Sequence, residues 1–333
     1  LSSQRLWVWN NLAVFFLSRG EYGRAKEELD RALRFQMSPA IPEDVGVYVN
    51  AGTLALATGE EQEAERAFRR ALELAQERGD RRAEAGILVN LGILARRGGQ
   101  LEEAKAHLGR ALDGYHALGM EREATDLMVN MANLGIVAED WELAERALDV
   151  AAEDYAEVND VAGLALVTSN RGVVRLRQGR FVESETCFEE ALVLARRVED
   201  APLAFAALHG LAQAKVALGD GEAALGPLRE TVDLLETIRA RFASVEQRVA
   251  FLEHRYDAYD LLVDLLVERG ELEEALSVSE RMKARSFLDV AGGGQVELRE
   301  TDRELYEALA ALEGELERLA AKKSALLSEG TPD

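Results

Sequence analysis

A single cysteine, Cys187, in 333 residues rules out an intrachain disulfide and makes a reducing compartment, the cytoplasm, the expectation. Only five prolines and 6 % aromatic residues suit a helical array. No run of 18 apolar residues is present, so no membrane-spanning helix is expected. No basic stretch followed by an apolar core opens the chain, so no signal peptide is visible. Basic residues are the minority, 39 against 61 acidic, for a net charge of −22. That balance repels the phosphates of nucleic acid and an anionic membrane surface, and it weakly favours a basic partner. No HExxH, CxxC or calcium-loop pattern occurs, so neither metal nor cofactor is expected. The sequence opens on Leu1 rather than Met, inside a helical pattern at Leu6-Trp7, and reads as a piece of a longer chain.

What the sequence does have is a register. Asn50, Asn90, Asn130 and Asn170 stand forty residues apart. Nine residues after each comes a turn position, held by Gly59, Gly99, Glu139 and Gly179. Small residues follow at Ala64, Ala104, Ala144 and Ser184, then alanine at Ala71, Ala111, Ala151 and Ala191. An earlier unit has Asn11, Gly20, Ala25 and Ala32; a later one has Gly210, Gly219, Ala224 and Thr231, with the asparagine lost. A fixed period of this length marks a stacked repeat protein. Each unit reads as two helices, the first closed by a residue that tolerates a left-handed conformation, with alanines where two helices cross closely.

The pattern resembles the tetratricopeptide repeat. The likeness rests on Gly52, Gly92, Ala132 and Gly172 at the small position of the first helix, on the turn glycines and on both alanines. It covers residues 5 to about 240, in a forty-residue form longer than the common unit of about 34. The fold expected is all-α: a right-handed solenoid of about seven helical hairpins with a C-terminal heptad helix. Residues 1–240 would form the array. Residues 241–292 would hold a long helix and a final hairpin whose turn is Gly270. Residues 295–333 would form a heptad helix and linker, with Leu305, Leu309, Leu312, Leu316 and Leu319 on one seam. Met37 to Pro42 reads as the longest irregular joint, because proline cannot continue a helix.

A second resemblance covers Glu273 to Asp289. Glu280-Arg281 and Ala284-Arg285-Ser286-Phe287-Leu288-Asp289 are similar to the end of the repeat region in CHAT proteins, where a caspase-like protease follows a repeat array. That resemblance implies an adjoining CHAT protease domain beyond Asp333. No catalytic pair is expected in this chain itself: Cys187 has no histidine at a matching register position, and His107, His116, His209 and His254 lie in no protease-like context. Gly219 to Ala224 formally matches a dinucleotide fingerprint, but no strand precedes it and it falls on a repeat turn.

In the resembled family the first helices line a concave groove. Carried over by register, the groove residues are Asn11, Asn50, Val89, Asn90, Arg97, Val129, Asn130, Asn133, Asn170 and Arg177. An amide both donates and accepts, so a ladder of them can bond the backbone of an extended peptide. The alternative is that the asparagines bond between neighbouring repeats and only shape the superhelix. A second surface is the acidic stripe Asp257, Asp260, Asp264 and Glu268, either a dock for a basic segment or a metal, or a solvated helix face. The function expected is a non-catalytic array that binds a protein or peptide and regulates an attached CHAT protease. The rivals are a self-associating scaffold and the sensor arm of another signalling protein, such as a nucleotide-switched regulator.

Overall fold

The computed structural model describes residues 2–38, 40–240 and 257–292, with side chains for 4–38, 40–238 and 257–282. The long helix expected near Val245 to Leu252 and the heptad seam lie outside the described residues. Backbone packing divides the chain into Leu1–Arg241 and Phe242–Asp333.

The first unit contains twelve helices in six hairpins: α1 (Ser2–Ser18) with α2 (Tyr22–Gln36), α3 (Val45–Ala57) with α4 (Glu61–Glu77), and α5 (Arg81–Arg97) with α6 (Leu101–Ala117). The series continues with α7 (Glu121–Val137) and α8 (Trp141–Glu157), α9 (Val161–Arg177) and α10 (Phe181–Arg197), then α11 (Ala201–Ala217) and α12 (Gly221–Ala240). In the second unit, α13 (Asp257–Glu268) and α14 (Leu272–Gly292) pack as a seventh hairpin. Among the described residues there is no strand.

The links explain the periodicity. Between α4 and α5 lie only Arg78, Gly79 and Asp80. Gly79 has φ 66°, a left-handed turn that lets the Asp80 N–H return to the Ala75 carbonyl at 2.9 Å. The Asp80 carboxylate then accepts from the Ala83 N–H at 3.0 Å and caps the next helix. Asp140, Asp160, Asp200 and Asp220 repeat the cap. Each of these links therefore stops one helix and starts another within three residues.

Three links use a side-chain-bearing residue in the left-handed region: Glu139 at φ 54°, Asn159 at 55° and Glu199 at 54°. That conformation costs a glutamate about 1–2 kcal/mol, whereas glycine loses about 0.5–1 kcal/mol more entropy on folding. Glu139→Gly and Glu199→Gly are each expected to raise stability by about 0.5–1 kcal/mol, read as a higher melting temperature. A lower one would contradict the strain.

The core is small where helices cross. Ala25, Ala64, Ala104, Ala144 and Ala224 are fully buried. Ser184 takes the same place in the fifth hairpin, and its buried hydroxyl donates to the Gly172 carbonyl at 2.8 Å. Each first helix packs on its own second helix and also meets the next first helix, from α1–α3 through α9–α11. No pair of second helices meets to that extent. The stack is thus tighter along its first helices, which form its inner wall.

The joint from α2 to α3 is pinned by Glu43. Its carboxylate accepts from Arg70 at 2.6 and 3.0 Å and from the Tyr48 hydroxyl at 2.7 Å; Arg78 donates to its carbonyl. The Arg70 hydrogen bonds, then that of Tyr48, hold the Glu43 carboxyl at about 2. A depressed carboxylate stabilises the fold above the unfolded range near ~4.3 and loses that contribution as pH falls toward about 2. Both side chains are about a third exposed, so water screens the pair. Glu43→Gln is expected to cost about 1 kcal/mol at neutral pH, with the difference from wild type vanishing by pH ~2 in denaturation at stepped pH. A pH-independent difference would contradict it.

Candidate functional site: the first-helix wall

The predicted groove residues divide into three groups. Asn50 donates through Nδ2 to the Asn10 Oδ1 at 2.7 Å, across the first two hairpins. The register assigns Asn11, not Asn10, as its counterpart. Asn11 is exposed and bonds the Trp7 carbonyl of its own helix at 2.9 Å. At this first rung the amides link repeats, as the alternative reading holds. Sequence reasoning missed Asn10, although its forty-residue spacing from Asn50 was a usable signal.

The next rungs keep their amides. Asn90 and Asn133 are half-buried, with no hydrogen-bond partner among the described residues. Asn130 makes only a long 3.4 Å bond to the Asp126 carbonyl on its own helix. Asn170 has a buried Nδ2 without an acceptor. The ladder stops at α11 for a steric reason. Gly210 stands where the earlier hairpins have asparagine, and any Cβ there would overlap the Phe188 ring.

Val129 requires a correction. It is 7 % exposed and lies in the α7–α9 core with Ala132, Leu148 and Val167, so it offers nothing to a ligand. Leu166 of the next first helix packs against the same cluster and helps to cover it. Val89 is half-buried and leans on the α5–α7 core. Apolar surface on the wall comes instead from Val137 and from Trp7 at the start of the stack, 50 % and 69 % exposed.

The wall's charges are mostly positive, in a chain of net −22. Arg97 and Arg177 are exposed; Arg97 donates to the Leu56 carbonyl of the preceding hairpin at 3.2 Å. Arg96 is half-buried, and burial, with Arg97 beside it, pushes its pKa down. Asp126 accepts from the Tyr155 hydroxyl at 2.8 Å. Burial first, and that bond second, push the tyrosine pKa up.

The acidic stripe is placed on α13. Asp257, Asp260, Asp264 and Glu268 are all exposed, opposite a buried face that includes Ala258, Leu262 and Leu266. Among the described residues no group of three His, Cys, Asp or Glu is arranged to hold a metal, so the metal reading of the stripe finds no support. Cys187 is half-buried, and burial pushes its thiol pKa up. His107 faces Glu103 at 3.5 Å, His116 faces Glu121 at 3.6 Å, and His209 stacks on Phe205 with ring centroids 5.9 Å apart. His254 lies outside the described residues. No described helix is long and apolar enough to cross a membrane.

Among the described residues this architecture is an all-α solenoid of helical hairpins. The model of the tetratricopeptide repeat family matches the hairpins within residues 44–117 and 163–237. No curated protein matches the chain. Among solved structures, a tetratricopeptide repeat protein from Parabacteroides merdae ATCC 43184 shares 19 % identity, over 93 % of this chain and 98 % of that one, at TM-score 0.51. NprR in complex with its cognate peptide NprX shares 14 %, over 92 % and 87 %, at 0.60. A Rap protein complexed with Competence and Sporulation Factor shares 13 %, over 98 % and 93 %, at 0.57. At these identities the likeness is one of fold.

Proposed function

We propose that the first-helix wall binds an extended peptide segment of a partner protein, and that the array is a sensor or scaffold without chemistry of its own. The observation that carries this reading is the set of amides at Asn90, Asn130 and Asn170, one per hairpin in a single register, none of which bonds a neighbouring hairpin among the described residues. A donor buried without an acceptor costs about 1–3 kcal/mol, which a ligand carbonyl would offset. Three amide–backbone bonds at about 1 kcal/mol each, with apolar burial against side chains such as Val137, give a roughly micromolar affinity. The solved complex of NprR with its cognate peptide NprX, similar in fold, supports the same use of the fold here.

Control of an attached CHAT protease is the finer proposal, and it rests on the sequence resemblance of Glu273 to Asp289. The coding sequence beyond Asp333 tests it. The binding reading is tested by selecting ten-residue peptides from a random display library on this chain. An enriched peptide of about micromolar affinity is expected, and failure to enrich any would overturn the reading.

A further inference from the structure

We propose that the hollow between α5 and α7, beside the Asn90 rung, is a specificity subsite that takes a carboxylate side chain of the bound peptide on the Tyr115 hydroxyl. This deepens the peptide-binding reading and rests on it. The inference comes from comparing two hairpins at equal register. Tyr115 and Tyr155 stand forty residues apart on α6 and α8, and both are buried, at 8 % and 6 % exposed. The Tyr155 hydroxyl donates to the Asp126 Oδ1 on α7 at 2.8 Å. Forty residues before Asp126 stands Gly86 on α5. The Tyr115 hydroxyl therefore lacks the carboxylate that its counterpart has, and it has no hydrogen-bond partner among the described residues. A buried phenol normally finds one, because an unpaired polar group out of water costs free energy.

Gly86 leaves the place of that carboxylate open. A Cβ added there would meet nothing closer than the Tyr115 oxygen, at 3.7 Å. A hollow of about 400 Å³ lies here, bounded by Arg82, Ala83, Gly86, Tyr115, Met120 and Glu123. Gly86 precedes Asn90 by one helical turn, so the two share a face of α5. A peptide bonded to the Asn90 amide thus passes the mouth of the hollow, and one short side chain can enter it.

Charge selects a carboxylate over a neutral acceptor. Around the Tyr155 hydroxyl stand two carboxylates, Asp126 and Asp160, and one guanidinium, Arg122. In the hairpin before, Gly86 and Met120 replace the two carboxylates, while Arg82 repeats Arg122. The charges that act on the Tyr115 hydroxyl are Glu123, then Arg82, then Asp126. Arg82 faces Glu123 at 3.5 Å with its side chain 76 % exposed, and a guanidinium has five donors, so some remain for a second carboxylate. An incoming aspartate, with the reach of Asp126, supplies the acceptor that the next hairpin carries in its own sequence.

Two measurements test this. Without ligand, Gly86→Asp provides the carboxylate from the chain itself and should raise the melting temperature by about 2–4 °C, the worth of one hydrogen bond in a unit of this size. Most of that gain should be lost in a Tyr115→Phe background. No gain, or one that Tyr115→Phe leaves intact, would overturn the proposal. With ligand, ten-residue random display peptides are selected in parallel on the wild-type, Tyr115→Phe and Gly86→Asp chains. Peptides from the wild type should share an aspartate at one position, and those from both variants should lack it. The wild-type consensus peptide is then made with an amidated C-terminus, so that only a side chain supplies the carboxylate. It should bind about tenfold more weakly with that aspartate changed to asparagine, and about tenfold more weakly to Tyr115→Phe. Enriched peptides with no shared acidic position, or with the same one on all three chains, would overturn the subsite and leave the groove reading standing. Enrichment on none of the three would overturn the groove reading, and the subsite with it.

Discussion

Replacing Phe188 with alanine should lower the unfolding free energy by about 3–5 kcal/mol, the largest single-site loss expected in the array. Phe188 sits on α10 with no exposed surface, its ring wedged against glycines of the flanking first helices. A Cβ at Gly172 would stand 2.9 Å from the ring, and one at Gly210 closer still. Those glycines exist to admit the ring, so neither can fill the space it would leave, and the cavity cannot collapse cheaply. The ring also belongs to the core that joins α10 to Leu211 and Ala214 of α11. Neighbour coupling holds a repeat array together, so the variant should unfold over a broader denaturant range as well as at a lower midpoint. Urea denaturation followed by circular dichroism reads both. A loss under about 1 kcal/mol would mean the site relaxes in a way the two glycines do not suggest.

Changing Asn90, Asn130 and Asn170 together to alanine should weaken binding of a library-selected peptide about a hundredfold, at three bonds of about 1 kcal/mol each. The fold should survive, because none of these amides links one hairpin to another. Removing the unpaired Asn170 Nδ2 from its buried position could even add stability. Asn50→Ala is the internal contrast. It breaks the Asn10–Asn50 bond between hairpins and should cost stability more than affinity. Isothermal titration calorimetry with parallel thermal melts separates the two. If the triple variant binds as wild type does, the amides serve the superhelix and not a ligand.

The fold was legible because its signals recur together. The turn residue and the two small positions repeat at fixed intervals, and each has one mechanical job at a helix end or crossing. The site was legible only in outline. A register names the position on a helix, but burial depends on what the next helix brings. Val129 and Val89 share a position, yet Leu166 joins the packing around the first and leaves it in the core. The one-residue stagger between the first two hairpins pairs Asn50 with Asn10, where the turn register alone points to Asn11. The ion pairs Arg175–Glu145 and Lys215–Glu185, themselves forty residues apart, join successive hairpins and gave no sequence signal distinct from the surrounding charge.

The claim on which the rest depends is that a guest peptide lies along the first helices. Photo-crosslinking measures this most directly. The selected peptide is made with a benzophenone residue at its centre, irradiated with the chain, and the attachment sites are read by mass spectrometry. The account predicts adducts on α5, α7 and α9, near Asn90, Asn130 and Asn170. Adducts confined to α6, α8 and α10 would contradict it.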